Sequence, residues 1–102
     1  MAQVAIGPLV AFPDRRAVAV DIGGRRLAVV RCDDRVFAID DRCSHRGFPL
    51  HDGTVDQLTI RCRTHGACFD LHTGGVLCGP ARRAIRTYPA EVRDGEVLVD
   101  LP

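Results

Sequence analysis

The sequence predicts an all-β chain: an antiparallel β-sandwich carrying a small, loop-rich subdomain at one tip. Three observations point there. Apolar residues fall in short runs bounded by turn residues, with little helical periodicity. Gly23-Gly24 and Asp94-Gly95 are two-residue hairpin signals between neighbouring β-like runs. Between about 41 and 81 the runs shorten, and Gly, Pro, Cys and His crowd in.

Taken in order, residues 4–6 are a short apolar start closed by Gly7-Pro8. Asp14-Arg15-Arg16 is polar and suits either a turn or a short strand. Ala17–Ile22, residues 26–32 and Arg35–Asp40 read as three strands of a meander, joined at Gly23-Gly24 and Asp33-Asp34. Within the loop-rich stretch, residues 58–61, 68–71 and Val76–Cys78 read as short strands, ended by ligand-type residues or by Gly and Pro. Residues 84–92 and Glu96–Leu101 then return to long alternating runs, expected to pair with the opening strands. The chain therefore reads as one domain over 1–102, with a subdomain at about 41–81 inserted in the basal sheet.

Composition narrows the function. The 102 residues include 46% apolar residues, enough for one real core, with no Trp and few aromatics. Net charge is +1, so no overall field drives the chain onto nucleic acid or an anionic membrane. All 14 basic residues are Arg. No apolar run is long enough to span a bilayer, and Met1 to Pro8 has no basic n-region, so a membrane or secreted location is not expected. The expected compartment is the cytoplasm, where thiols stay reduced. Five cysteines, an odd number, do not read as a disulfide scaffold.

The chemistry lies in Cys43-Ser44-His45 and Cys62-Arg63-Thr64-His65, with 16 residues between them. Each piece offers one thiolate and one imidazole. A structural zinc site also takes two Cys and two His, but its common spacings bring the sulfurs as a Cys-x-x-Cys knuckle and the histidines as a later pair. One of each from two loops suits a centre with two unlike metal ions. We read Cys43, His45, Cys62 and His65 as ligands of a [2Fe–2S] cluster of Rieske type, with two thiolates on one iron and two imidazoles on the other.

These segments resemble a known family. Cys43-Ser44-His45-Arg46-Gly47 and Cys62-Arg63-Thr64-His65-Gly66-Ala67-Cys68-Phe69-Asp70 are similar to the two ligand loops of Rieske ferredoxins. Val36-Phe37-Ala38-Ile39-Asp40, Pro49-Leu50-His51-Asp52-Gly53, Thr73-Gly74 and Cys78-Gly79-Pro80-Ala81 resemble the flanking segments. The resemblance implies a Rieske-like β-sandwich with the cluster at its tip, a third loop at Gly79-Pro80-Ala81 covering it, and the two histidines nearest solvent.

The family's high-potential members carry an additional disulfide between the loops and two hydroxyl donors to sulfur. The resemblance places Phe48 and Thr64 at the disulfide positions and Ala67 and Phe69 at the hydroxyl positions. Hydrogen bonds to sulfur raise the potential, so their loss implies the low end of the Rieske range, near about −150 mV. Arg46 is a positive charge close to the cluster edge and opposes that trend, weakly because water and salt screen it.

Other residues have plainer expectations. Cys32, Cys68 and Cys78 are read as buried small hydrophobes; Cys68 and Cys78 could pair, but a reducing compartment argues against it. His51 and His72 are read as surface loop residues; an iron site joining them to Asp52 or Asp70 is disfavoured, because the chain is too short for a catalytic pocket. Arg42, Arg46, Arg61 and Arg63 form either a solvated loop surface or a basic collar for an acidic partner.

The resemblance implies a soluble, monomeric, low-potential one-electron carrier, not itself an enzyme. It would pass electrons from a flavin-containing ferredoxin reductase to a terminal Rieske oxygenase. Two alternatives stay open: a small Rieske-like subunit of a larger reductase such as nitrite reductase, and a zinc-stabilised or cluster-sensing binding module.

Overall fold

The chain is organised around a central four-stranded sheet that is buried on both faces. The structure is a computed structural model describing residues 2–102; Met1, the first residue of the opening stretch, lies outside it. The strands are β1 (Ala2–Pro8), β2 (Ala17–Ile22), β3 (Arg25–Cys32), β4 (Arg35–Asp40), β5 (Thr54–Asp56), β6 (Thr59–Arg61), β7 (Cys68–Asp70), β8 (Val76–Cys78), β9 (Thr87–Tyr88), β10 (Ala90–Arg93) and β11 (Glu96–Leu101). A 3₁₀ turn, Leu9–Ala11, follows β1.

They form three antiparallel sheets, ordered β1-β11-β10, β2-β3-β4-β9 and β5-β6-β7-β8. The meander is β2-β3-β4, with turns at Gly23-Gly24 and Asp33-Asp34, and β1 pairs with β11, joining the chain's two ends.

Side chains alternate across a strand, so a sheet covered on both sides reads as a continuous apolar run. On β3 and β4, Leu27, Val29, Val36 and Ala38 face one core with Val97, Val99 and Tyr88. Ala28, Val30, Phe37 and Ile39 face the other, with Leu50, Ile60, Phe69 and Ile85. The second core also contains Cys43 and Cys62, so both candidate thiol ligands are anchored in the packing that joins the small sheet to the central one.

Two expectations need correction, and one strand was missed. Residues 84–92 do not form one strand. Pro89 has no N–H to donate, and the chain changes sheets there: β9 pairs with β4, and β10 pairs with β11. Strand β5 went unread, since its three residues carry almost no pattern. Cys68 and Cys78 are not two separate packed thiols. They face each other across β7 and β8 and form a disulfide with Cα atoms 4.9 Å apart. Cys32 alone is a buried, unpaired thiol outside the candidate ligand set.

Candidate metal centre

The two candidate ligand loops share one local structure despite different spacing. In the first, Cys43 N donates to Phe48 O at 2.7 Å and Gly47 N donates to Cys43 O at 2.8 Å. In the second, Cys62 N donates to Ala67 O at 2.7 Å and Gly66 N donates to Cys62 O at 3.0 Å. Both turns close on a glycine in the left-handed region, with φ of 77° at Gly47 and 78° at Gly66, where a side chain would be strained.

The residue before each cysteine braces its loop. A Cβ at Gly47 would meet the Arg42 guanidinium at 3.1 Å. Arg61 Nη1 donates to Gly66 O at 2.8 Å. Two of the arginines read as collar residues are thus turned onto their own loops. Arg63 lies 3.8 Å from the Asp52 carboxylate, which leaves Arg46 as the only one of the four without such an engagement among the described residues.

The loops bring the candidate ligands together as two pairs, Cys43 beside Cys62 and His45 beside His65. Cys43 and Cys62 are buried, each 2% exposed, beneath Ala67, Phe69 and Ala81. His45 is half-buried and His65 exposed, with ring centroids 5.0 Å apart and planes at 90°. Among the described residues, no three His, Cys, Asp or Glu side chains gather as they would about a single metal ion. A buried thiol pair below an outward imidazole pair fits a centre with two unlike irons, one of them sulfur-bound and the other nitrogen-bound.

Burial pushes the Cys43 thiol above its ordinary value, and the adjacent Cys62 thiol adds to the rise. Main-chain groups of His45 and Arg46 pull it the other way. His45 lies below the usual histidine value because of desolvation first, then His65 and Arg46. A neutral imidazole is the form that binds metal.

The remaining residues divide clearly. Phe48 is 41% exposed, and its ring centroid lies 5.9 Å from that of His65, with the planes at 61°. Ala67 and Phe69 are fully buried and offer no side-chain donor. Thr64 is exposed. Pro80 of the third loop lines a cleft with Ser44 and His45. His72 is an exposed loop residue against Phe37. His51, expected as a surface loop residue, instead pairs with buried Asp41.

Sequence reasoning missed two features. Asp41 has a fully buried side chain, and no local signal marks a carboxylate two residues before Cys43 as internal. Arg82, Arg83 and Arg86 stand beside His45, although their only sequence signal was an Arg-Arg pair after Gly79-Pro80-Ala81.

A Rieske [2Fe-2S] domain model matches residues 3–89. Over 96 residues the chain is 35% identical to the 3-phenylpropionate/cinnamic acid dioxygenase ferredoxin subunit of Escherichia coli, covering 93% of this chain and 90% of that protein. The solved ferredoxin of carbazole 1,9a-dioxygenase from Nocardioides aromaticivorans matches with a TM-score of 0.92 at 32% identity, over 97% of both chains. A chain in a complex of reduced oxygenase and oxidized ferredoxin in carbazole 1,9a-dioxygenase matches with a TM-score of 0.88 at 30% identity, over 95% of this chain and 91% of that one. With its two ligand-type loops on that fold, the chain belongs to the Rieske [2Fe-2S] domain family and is a ferredoxin whose cofactor is one [2Fe–2S] cluster.

Proposed function

We propose that Cys43 and Cys62 hold one iron and His45 and His65 the other, within a cluster-binding subdomain at about 41–81. The chain then serves as a cytoplasmic, monomeric, low-potential electron carrier between a flavin-containing reductase and a terminal Rieske oxygenase. The observation that carries this reading is the two-and-two arrangement, with thiols buried and imidazoles 5.0 Å apart at the surface. When bound, the cluster takes up and returns one electron at a time.

The residues divide the remaining work. Leu50, Ile60, Ala67 and Phe69 exclude water from the thiol end. His45 and His65 keep the other end near the surface, where a partner's redox group can approach. The main-chain bonds that close each loop on Gly47 and Gly66 fix the ligand positions before any partner arrives. Ala67 and Phe69 supply no hydroxyl to sulfur, which supports a low potential. A cytoplasmic location must accommodate the Cys68–Cys78 bond. Cys68 is 3% exposed, which slows attack by external thiols on that sulfur.

The test is anaerobic absorbance spectroscopy with the two proposed partners. A flavin reductase supplied with NADH is expected to reduce the chain by one electron, and a terminal Rieske oxygenase to reoxidise it. Size-exclusion chromatography should give a monomer. Failure of both transfers with a fully loaded cluster would overturn the carrier role.

A further inference from the structure

The two imidazoles face different surroundings. On the His65 flank, Phe48 is exposed, Arg61 is turned onto Gly66 and Arg63 pairs with Asp52. On the His45 flank, Ser44 Oγ donates to Arg83 O and Asp40 N donates to Arg86 O, fastening residues 82–86 beside the first loop. Two open clefts adjoin there, of about 390 Å³ and about 510 Å³, and both reach His45. Arginines 42, 46, 82, 83 and 86 line them.

All five arginines are exposed, and none has an ion-pair partner among the described residues. The one carboxylate in the clefts is Asp40, and it accepts from the Tyr88 hydroxyl. Five guanidinium groups against one carboxylate leave this arc four charges positive. With the whole chain at +1, the rest of the molecule is three charges negative. The near-neutral total therefore hides a strong charge asymmetry centred beside one proposed ligand.

Like charges held together repel, and the chain offsets them only in part, through Asp40 and the Tyr88 ring, which lies 5.6 Å from the Arg86 guanidinium. Guanidinium groups match carboxylates with two parallel hydrogen bonds, and the rows beside His45 present several such forks on one face. We infer that the chain receives an acidic protein face over its His45 flank, with partner carboxylates engaging Arg46, Arg82 and Arg83. This rests on the electron-carrier reading and adds the direction of docking and the chemistry of the partner. The negative remainder disfavours a long polyanion such as nucleic acid, which would run past the arc onto like charge.

The test uses the reduced, cluster-loaded protein in stopped-flow oxidation by an anionic oxidant, hexacyanoferrate(III), and a cationic one, tris(bipyridine)cobalt(III). Arg82→Gln with Arg83→Gln is expected to slow the anionic reaction about fivefold at 0.01 M salt, where the Debye length is about 30 Å, and to have no effect at 1 M, where it is about 3 Å. The cationic reaction should hold or speed up. Arg15→Gln with Arg93→Gln, outside the arc, should change neither. Equal slowing of both oxidants, or equal loss in the control variant, would overturn the inference.

A titration followed by amide NMR separates this from failure of the carrier reading. Hexaglutamate is expected to shift amides at 44–46 and 82–86 and to bind more tightly than oligothymidylate of equal charge. The reverse order, or shifts centred elsewhere, would overturn the acidic-protein assignment. If the reduced protein gave no cluster spectrum, the carrier reading would fail while this titration still decided the arc.

Discussion

The buried Asp41 carboxylate lies 2.7 Å from His51 Nδ1 and ties residues 50–51 beneath the first ligand loop. Its Oδ1 accepts from Leu50 N and His51 N, each at 2.7 Å, and Arg26 Nε stands 3.4 Å from Oδ2. Removing the carboxylate strands two main-chain donors, one of them on fully buried Leu50. Asp41→Ala should cost about 3 kcal/mol and lower the melting temperature by more than about 10 °C. Asp41→Asn, which retains one acceptor, should cost less. Thermal unfolding of the loaded protein checks the order; no shift in Asp41→Ala would remove the tie.

Ala67 and Phe69 sit fully buried beside the proposed thiol ligands. Replacing them with Ser and Tyr offers two new donors to sulfur. A hydrogen bond of about 1 kcal/mol favouring the reduced state corresponds to about 40 mV for one electron. Ala67→Ser with Phe69→Tyr should raise the midpoint potential by that order for each bond formed. Voltammetry that gave an unchanged or lower value would contradict the tuning account.

Tyr88 gives a pH signature. Burial first, then the hydrogen bond to Asp40 Oδ1, raises its phenol above the ordinary value. A raised folded-state pKa means the contribution is fully present below the unfolded value of about 10, and is lost as pH rises through the folded value. Tyr88 is the only tyrosine and the chain has no lysine; the Cys32 thiol, raised by burial, also titrates in alkali, but it is common to both proteins and drops out of their difference. The stability gap between wild type and Tyr88→Phe should stay constant from pH 8 to about 10 and shrink above it. A gap that widened with alkali would contradict the assignment.

Two glycines near the site should respond oppositely. A Cβ at Gly53 would meet Arg61 O at 2.3 Å and Leu50 O at 3.0 Å, both main-chain atoms that cannot swing away. Gly53→Ala must displace the strand that leads into Cys62, and should cost about 2 kcal/mol with faster loss of cluster colour in chelator. Nothing lies within 4 Å of a Cβ at Gly79, so Gly79→Ala should be near neutral. Equal behaviour of the two variants would refute the close approach.

Much of this was legible in the sequence, for identifiable reasons. β2, β4, β8 and β11 fall at the bounds their apolar runs and turn residues suggest. Cys43 with His45, and Cys62 with His65, stood out because donor type and spacing are local facts. The Cys68–Cys78 pairing is visible in the sequence as a possibility, and the expected reducing compartment argues against it; what decides it is the register between β7 and β8, which neither cysteine's neighbours reveal. The roles of Arg42 and Arg61 were also hidden. Both look like free surface charge in the sequence, and only the turn at Gly47 or Gly66 gives each guanidinium its contact. The arc beside His45 arises because Ser44 and Asp40 fasten a distant segment against the first loop.

The central claim is mixed ligation by Cys43, His45, Cys62 and His65. Pulsed electron paramagnetic resonance of the reduced protein carrying ¹⁵N-histidine tests it most directly. Two distinct strongly coupled nitrogens are expected, and neither should disappear in His51→Gln or His72→Gln. A reduced cluster with no nitrogen coupling, or a colourless protein holding zinc, would contradict the account.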